Sequence, residues 1–430
     1  MSFKIGQPRE QNPSISIFGK SLRGIILFVL ILFGKELFSR EITVCSDCAI
    51  SSVRNAIDKS QDGDSIIIKA GLYREGEILV NKRISIVGLP GAVIDGKKEK
   101  HVFEVASNGV TIRGLKIMAS GISDTAEYAG IHAQKITDCT FANNTFEDNA
   151  YAIYLAEVGY CQINDNITRG NARNEVSGGN GVHLWNSKSV QIIGNRAEKH
   201  RDGIYLEFSS NLKIENNVSR NNIRYGMHFM FSSDNDFRGN TFESNSAGVA
   251  VMYSKNILIE DNTFRNNWGE SSYGLLLKEI SDSILVKNKF IENSTAIFAD
   301  GCNRNYFTHN SIEENGWGIR ILGSSDSNVF SKNDFRENVF DISTNAKQTT
   351  NKFSQNYWDS YRGYDLDGDK IGDAPHQPIH FFGYWVAIYP FLMVLYESPV
   401  VTFLQGIENA FPIVTPIDFE DPKPTMKGNI

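Results

Sequence analysis

Apolar and polar residues alternate in short bursts along most of this chain, and the bursts recur on a fixed period. Seven segments share one pattern: GIHAQ at 130, AIYLA at 152, GVHLW at 181, GIYLE at 203, GMHFM at 226, GVAVM at 248 and GLLLK at 274. Successive strand side chains point to opposite faces, so the aliphatic residues one and three places after the first should face a core. The residues two and four places on then face outward. That outward ladder runs His132/Gln134, Tyr154/Ala156, His183/Trp185, Tyr205/Glu207, His228/Met230, Ala250/Met252, Leu276/Lys278.

Between these segments an Asn recurs, commonly with Phe or Ile two residues on, at 144, 166, 195, 217, 240, 262, 288, 310, 333 and 356. Most steps are 22 or 23 residues; two, of 29 and 26, should carry loop insertions. A second Asn follows five residues later at 149, 171, 222, 245, 267, 293, 315 and 338, with His200 breaking the series. A period near 22 with alternation inside it predicts three short strands per repeat and a β-solenoid. Equivalent residues then stack about 4.8 Å apart, and stacked Asn amides hydrogen-bond along the ladder. Residues 50–117 continue the theme, with Ser51–Lys59 expected to form a helix that caps the first coil. Cys139 and Cys161 share one register; buried packing is the first expectation, and the spacing also permits a disulfide.

Four regions follow: a secretory signal over 1–39, a parallel β-helix over 40–360, an acidic loop over 361–380, and an apolar docking segment with a tail over 381–430. Lys20 and Arg23 precede the apolar run at 24–34, which is too short to span a bilayer and suits an export signal, with an uncleaved N-terminal anchor as the alternative. An exported chain fits a disulfide between Cys45 and Cys48 of CSDC, with a redox pair or metal clip as alternatives. The acidic stretch YDLDGDKIGD places Asp365, Asp367, Asp369 and Asp373 where they suit a hard cation such as Ca²⁺. It is not an EF-hand, because Lys370 stands where that loop needs Gly. The run at 381–396 is broken by Pro390 and reads as short apolar helices that cap the solenoid or dock on a membrane protein. The tail 418–430 reads as loose.

A net charge of −7 gives no basic footprint, which argues against nucleic acid as a partner. The candidate chemistry lies on the outward ladder. His228 and Met230, with Met252 one coil away, combine imidazole and thioether, a set suited to copper and above all to Cu(I). Glu207 and His183 are further candidates on the same face. The competing reading is an apolar patch that docks a partner.

RYGMHFMFSSDN (224–235) together with NYWDSYRGYDLDGDKIGDAP (356–375) resembles the NosD family, and the resemblance covers most of the chain after residue 39. It implies a right-handed parallel β-helix in the periplasm, without enzymatic activity of its own. It implies work beside an ABC transporter whose membrane and ATPase subunits are separate chains. It also implies copper delivery to nitrous oxide reductase, aided by a copper chaperone. The rival function is a polysaccharide lyase, hydrolase or epimerase on the same fold. Such enzymes need an acid/base pair of carboxylates, and the outward ladder is poor in them.

Overall fold

The computed structural model describes residues 39–123, 125–174, 178–346, 349–410 and 419–430. The expected signal segment lies outside the described residues. From Glu41 to Trp358 the chain winds as a parallel β-solenoid, whose three sheets hold 14, 13 and 12 strands. Every strand pair in the sheets is parallel and joins one coil to the next. The 12-stranded sheet, from Ile78–Val80 to Phe340–Thr344, carries the outward ladder described above.

The inward columns are the aliphatic ones the alternation predicts. On the 12-stranded sheet Ile204, Met227, Val249 and Leu275 stack in register and are buried. The Phe that follows the repeating Asn fills the 13-stranded sheet's inner face. Phe242, Phe264 and Phe290 stack with ring centroids 5.4 and 4.6 Å apart. Replacing one large ring would open a cavity worth about 3–5 kcal/mol.

The repeating Asn residues form a continuous buried ladder. In each, the Nδ2 amide donates to the next Asn's Oδ1 and to a backbone carbonyl, while Oδ1 accepts the previous Asn's N–H and Nδ2. The series runs unbroken from Asn144 to Asn356. The second series needs a correction. Asn171 does not join it: it is exposed and donates to Asp148 Oδ1 at 2.6 Å. His200 takes the inward place in its coil, accepting or donating at Thr168 Oγ1 (3.0 Å), and its amide feeds Asn222. The longer coils explain why. The connection between the strand ending at Arg169 and the next strand at Val182 is longer than in the regular coils, and Asn171 at its start has left the inward track. The longer connections all lead into strands of the 12-stranded sheet, at Ala129–Gln134, Val182–Trp185 and Leu275–Lys278, so they fall at one corner of the coil.

Both ends are covered. Helix α1 (Val53–Lys59) packs Val53, Ala56 and Ile57 into the core. The Glu75 carboxylate accepts from the Val53 and Arg54 amides at 2.6 and 3.0 Å, satisfying donors that a helix N-terminus leaves open. Lys82 Nζ donates to the Ile57, Asp58 and Ser60 carbonyls at the other end. At the far end the tail, expected to be loose, is ordered over 419–430. Ile371 and Thr425, and His376 and Asp421, form antiparallel bridges. Asp421 is fully buried, and its Oδ2 accepts from Asn356 N (3.0 Å), Asn356 Nδ2 (2.9 Å) and Trp358 Nε1 (3.2 Å). A carboxylate thus ends the Asn ladder, because the last rung needs an acceptor and has no further donor to feed. Charge in the tail reads as solvation in a sequence; here it is the stop of a hydrogen-bond chain.

Two disulfides join Cys45 to Cys48 and Cys139 to Cys161. The first agrees with the leading expectation for CSDC. The second corrects the expectation of simple packing: stacked positions bring the two Cα atoms to 4.5 Å, well within reach of a bridge.

Helix α2 (Phe381–Ile388), a 3-10 turn (Pro390–Leu395) and helix α3 (Pro399–Ala410) follow the acidic loop. Phe382, Val386 and Val401 pack on Phe340 at the solenoid's last coil. Asp341 lies at this joint, where burial pushes its carboxyl up to about 7. Asn338 Nδ2 donates to it at 3.1 Å, and Asp359, Ser360 and His380 face it. His380 is held above its ordinary value by its bond to Glu408. A carboxyl whose folded pKa exceeds the unfolded value favours folding below the unfolded pKa, and the benefit is lost as pH rises through about 7. Raising pH from about 5 to 8 should therefore loosen the packing of α2, and Asp341→Asn should reduce that dependence to the part carried by the His380–Glu408 pair. Hydrogen exchange of 381–388 across this range checks it; equal pH dependence in the variant would exclude Asp341 as the cause.

Candidate metal centre

The outward face of the 12-stranded sheet is a column of rings. Pairing in register places Glu104, His132, Tyr154, His183, Tyr205, His228, Ala250, Leu276, Phe298 and Arg320 on successive coils. Ring centroids are 5.4, 4.6, 4.7 and 4.9 Å apart from His132 through to His228. A parallel column runs Gln134, Ala156, Trp185, Glu207, Met230, Met252, Lys278, Asp300.

Outward does not mean exposed. His183 and His228 are each only 6% exposed, because rings of the neighbouring coils close over them. Tyr205 and Tyr225 both lie within 5 Å of His228, at centroid distances of 4.9 and 4.8 Å. Neither nitrogen of His228 has a hydrogen-bond partner among the described residues, and Nε2 of His183 has none. Burial lowers His228 to about 4 and His183 to about 3, so both imidazoles are neutral at physiological pH and keep a free lone pair. Asp202 opposes the shift at His228, while Arg224 and Arg201 add to it. Asp202 is fully buried and is clamped by Arg224, from Nε at 2.9 Å and from Nη2.

Register brings Glu207, Met230 and Met252 onto three consecutive rungs, with His228 beside Met230 on one strand. Both thioethers are half-buried. Burial raises the Glu207 carboxyl against the lowering effect of the Tyr205 hydroxyl. His183 does not share this centre, since the Tyr205 ring stands between it and His228. Phe208, Phe231 and Tyr253 each follow one member of the column in sequence. They stack into a ridge, with centroids 5.2 and 5.0 Å apart, and Phe208 and Phe231 are exposed.

A second cluster lies at the other end of the ring column. Glu104 Oε2 is 2.5 Å from His132 Nδ1 and 3.8 Å from His101 Nε2, and the two imidazoles stack at 4.2 Å. Their ligand atoms could converge on an ion. The Ala129 amide, however, donates to His101 Nδ1 at 3.1 Å. That keeps the proton of neutral His101 on Nε2, so the nitrogen facing Glu104 is a donor rather than a ligand. Sequence reasoning placed His132 on the ladder and missed His101 and Glu104. The signal was available: extending the repeat upstream puts Glu104 of FEV opposite His132.

In the acidic loop Asp365, Asp367 and Asp369 bring carboxylate oxygens within 4.8 Å of one another. Asp373, expected as a fourth member, turns instead to the Leu366 amide at 2.6 Å. The three others also cap loop amides: Asp365 those of Gly368 and Lys370, Asp367 that of Asp369, Asp369 that of Ile371. The Asx turns alone account for this geometry.

A family profile described as "Periplasmic copper-binding protein (NosD)" matches residues 57–178 and 172–365. The chain belongs to the NosD family. Two relatives named "Probable ABC transporter binding protein NosD" agree over nearly the whole length. The one from Pseudomonas aeruginosa is 27% identical over 85% of this chain and 89% of its own. That from Stutzerimonas stutzeri is 24% identical over 84% and 86%. Among solved structures, a family 28 exopolygalacturonase from Yersinia enterocolitica superposes with a TM-score of 0.61 at 13% identity, covering 75% of this chain and 79% of that one. Identity that low speaks to the fold alone. The profile of the NosD family spans both the ring column and the thioether column. No helix among the described residues is long and apolar enough to cross a membrane.

Proposed function

We propose that this chain receives copper in the periplasm and passes it on for nitrous oxide reductase maturation, working beside an ABC transporter. The observation that carries this reading is the pair of thioethers, Met230 and Met252, on adjacent rungs next to an imidazole with no hydrogen-bond partner. Thioether and neutral imidazole are ligands for Cu(I). Two or three such ligands on a half-open sheet face make an exchangeable site, which suits transfer. Loading would require the Tyr205 and Tyr225 rings to shift, since they cover His228. The exposed Phe208–Phe231 ridge beside the column offers a resting place for a copper-carrying chaperone.

The carbohydrate-enzyme reading is less well supported. Glycosidic chemistry needs two carboxyls roughly 5–9.5 Å apart. Glu207 and Asp300 are four rungs apart, about 19 Å at the strand spacing. Asp202 and Glu207 are five residues apart on one strand, about 16 Å, and Asp202 is engaged by Arg224.

Anaerobic titration of the purified chain with Cu(I) against a competing chelator tests the function. One exchangeable equivalent is expected, and failure to draw any copper from a weak chelator would overturn it.

The C-terminal segment supplies the link to the transporter in this reading. Phe391, Val394, Val400 and Phe403 expose apolar surface, while the other side of α2 and α3 packs on the solenoid. Phe391→Ser, Val394→Ser and Phe403→Ser together should release the chain from membranes that hold the transporter, leaving its thermal unfolding unchanged. Undiminished co-purification with the membrane subunits would remove this segment from the interface.

A further inference from the structure

Arg320 sits five rungs beyond Tyr205 on the ring column and is only partly exposed. Its central carbon lies over two rings, 5.7 Å from the Phe298 centroid and 5.3 Å from that of Trp317. Tyr273 packs against Phe298 at 5.0 Å, and Ser343 follows Arg320 on the next coil. Nε is buried and has no hydrogen-bond partner, and no carboxylate forms an ion pair with this guanidinium among the described residues. Burial pulls its pKa below the ordinary arginine value.

This arrangement is unfavourable as it stands. A buried His or Lys escapes an uncompensated charge by losing its proton, whereas arginine stays charged. Ring faces attract the cation but leave its N–H groups, which lie in the plane of the fork, without acceptors. Arg224, farther along this sheet face, instead forks onto Asp202. A planar fork with open in-plane donors matches the oxygens of a phosphate in two parallel bonds.

We infer that Arg320, whose guanidinium lies over the Phe298 and Trp317 rings, is the receptor for a phosphate-type oxyanion. Two sources present that chemistry: free phosphate, and the headgroup of an anionic phospholipid. The second gains support from position. Trp317 stacks on Phe340 at 4.3 Å, and Phe340 carries the C-terminal helices with their exposed apolar residues. The site therefore adjoins the surface that faces a membrane in the proposed function, although the oxyanion site itself does not depend on copper handling.

The test uses the full exported chain, its Arg320→Gln variant and its Arg320→Lys variant. Calorimetric titration with inorganic phosphate in a phosphate-free buffer reads the first source. Flotation with vesicles of phosphatidylglycerol and phosphatidylcholine, against phosphatidylcholine alone, reads the second. Binding by the wild type in at least one arm is expected, with about a tenfold loss in Arg320→Gln and a smaller one in Arg320→Lys, which keeps charge but loses the fork. Phosphate should also raise the unfolding temperature of the wild type and leave that of Arg320→Gln unmoved, which separates a binding defect from misfolding. Equal binding by Arg320→Gln, or no binding by the wild type in either arm, overturns the inference. Loss of transporter assembly in Arg320→Gln without phosphate or lipid binding would assign the fork to an acidic side chain of a protein partner, and would also overturn it.

Discussion

Asn240→Leu, which keeps the number and branching of side-chain heavy atoms, should destabilise the protein by about 3–6 kcal/mol. Asn240 is 1% exposed. Its Oδ1 accepts from Asn217 N (2.9 Å) and Asn217 Nδ2 (3.0 Å), and its Nδ2 donates to Ile214 O and Asn262 Oδ1, both at 2.9 Å. Leucine fills the space and answers none of these groups. Asn217 N and one Nδ2 hydrogen of Asn217 are then buried without an acceptor, each costing about 1–3 kcal/mol, and Ile214 O and Asn262 Oδ1 each lose a donor. The sequence offers an internal control. Asn171 belongs to the second Asn series of the written repeat but points to solvent, so Asn171→Ala should stay within about 0.5 kcal/mol. Thermal and urea unfolding of both variants decide the matter. Similar small effects would mean that the ladder shapes the coil without holding it.

The second large effect is functional. His228→Ala combined with Met230→Leu should abolish Cu(I) uptake, and Met252→Leu alone should weaken it. Neither change touches the core, since the inward neighbours are Met227 and Phe229. Met227→Ala makes the opposite trade. Met227 is fully buried between Ile204 and Val249, so its loss should destabilise by roughly 2–5 kcal/mol and leave copper affinity nearly unchanged. Copper titration and thermal unfolding of the same four proteins form a cross. Full copper uptake by the double variant would leave the thioether column as a docking face.

The solenoid was legible in the sequence because its two signals are geometric. A period near 22 sets the coil, and alternation sets which residues face inward; both were right down to Met227 and Phe229. The corner at which the insertions fall was not legible, since the extra length alone does not say between which strands it sits. Asn171 was misplaced for that reason. The site was legible in phase and not in depth. Alternation says on which side of a sheet His228 lies; it says nothing about the Tyr205 and Tyr225 rings that cover it. The Arg224–Asp202 clamp and the Glu104–His132 pair each join residues 22 to 28 positions apart, and they appear only once register is known. The tail misled for a similar reason, because a charged residue that ends a buried ladder has the same letter as one that faces water.

Asp421 has one more consequence. A parallel solenoid with a bare end is a template, and its last coil would accept the first coil of another copy as readily as it accepts its own. The ladder would then continue from molecule to molecule, and the product would be a fibre. Here the chain supplies both closures itself, α1 at one end and the 419–430 tail with its terminating carboxylate at the other. Because the closures are helix α1 and the 419–430 stretch, a copy that lacks either one keeps a complete stacking surface and loses only its guard. Shortened chains are therefore the form expected to polymerise, and the last dozen residues work as the protein's own defence against becoming a filament.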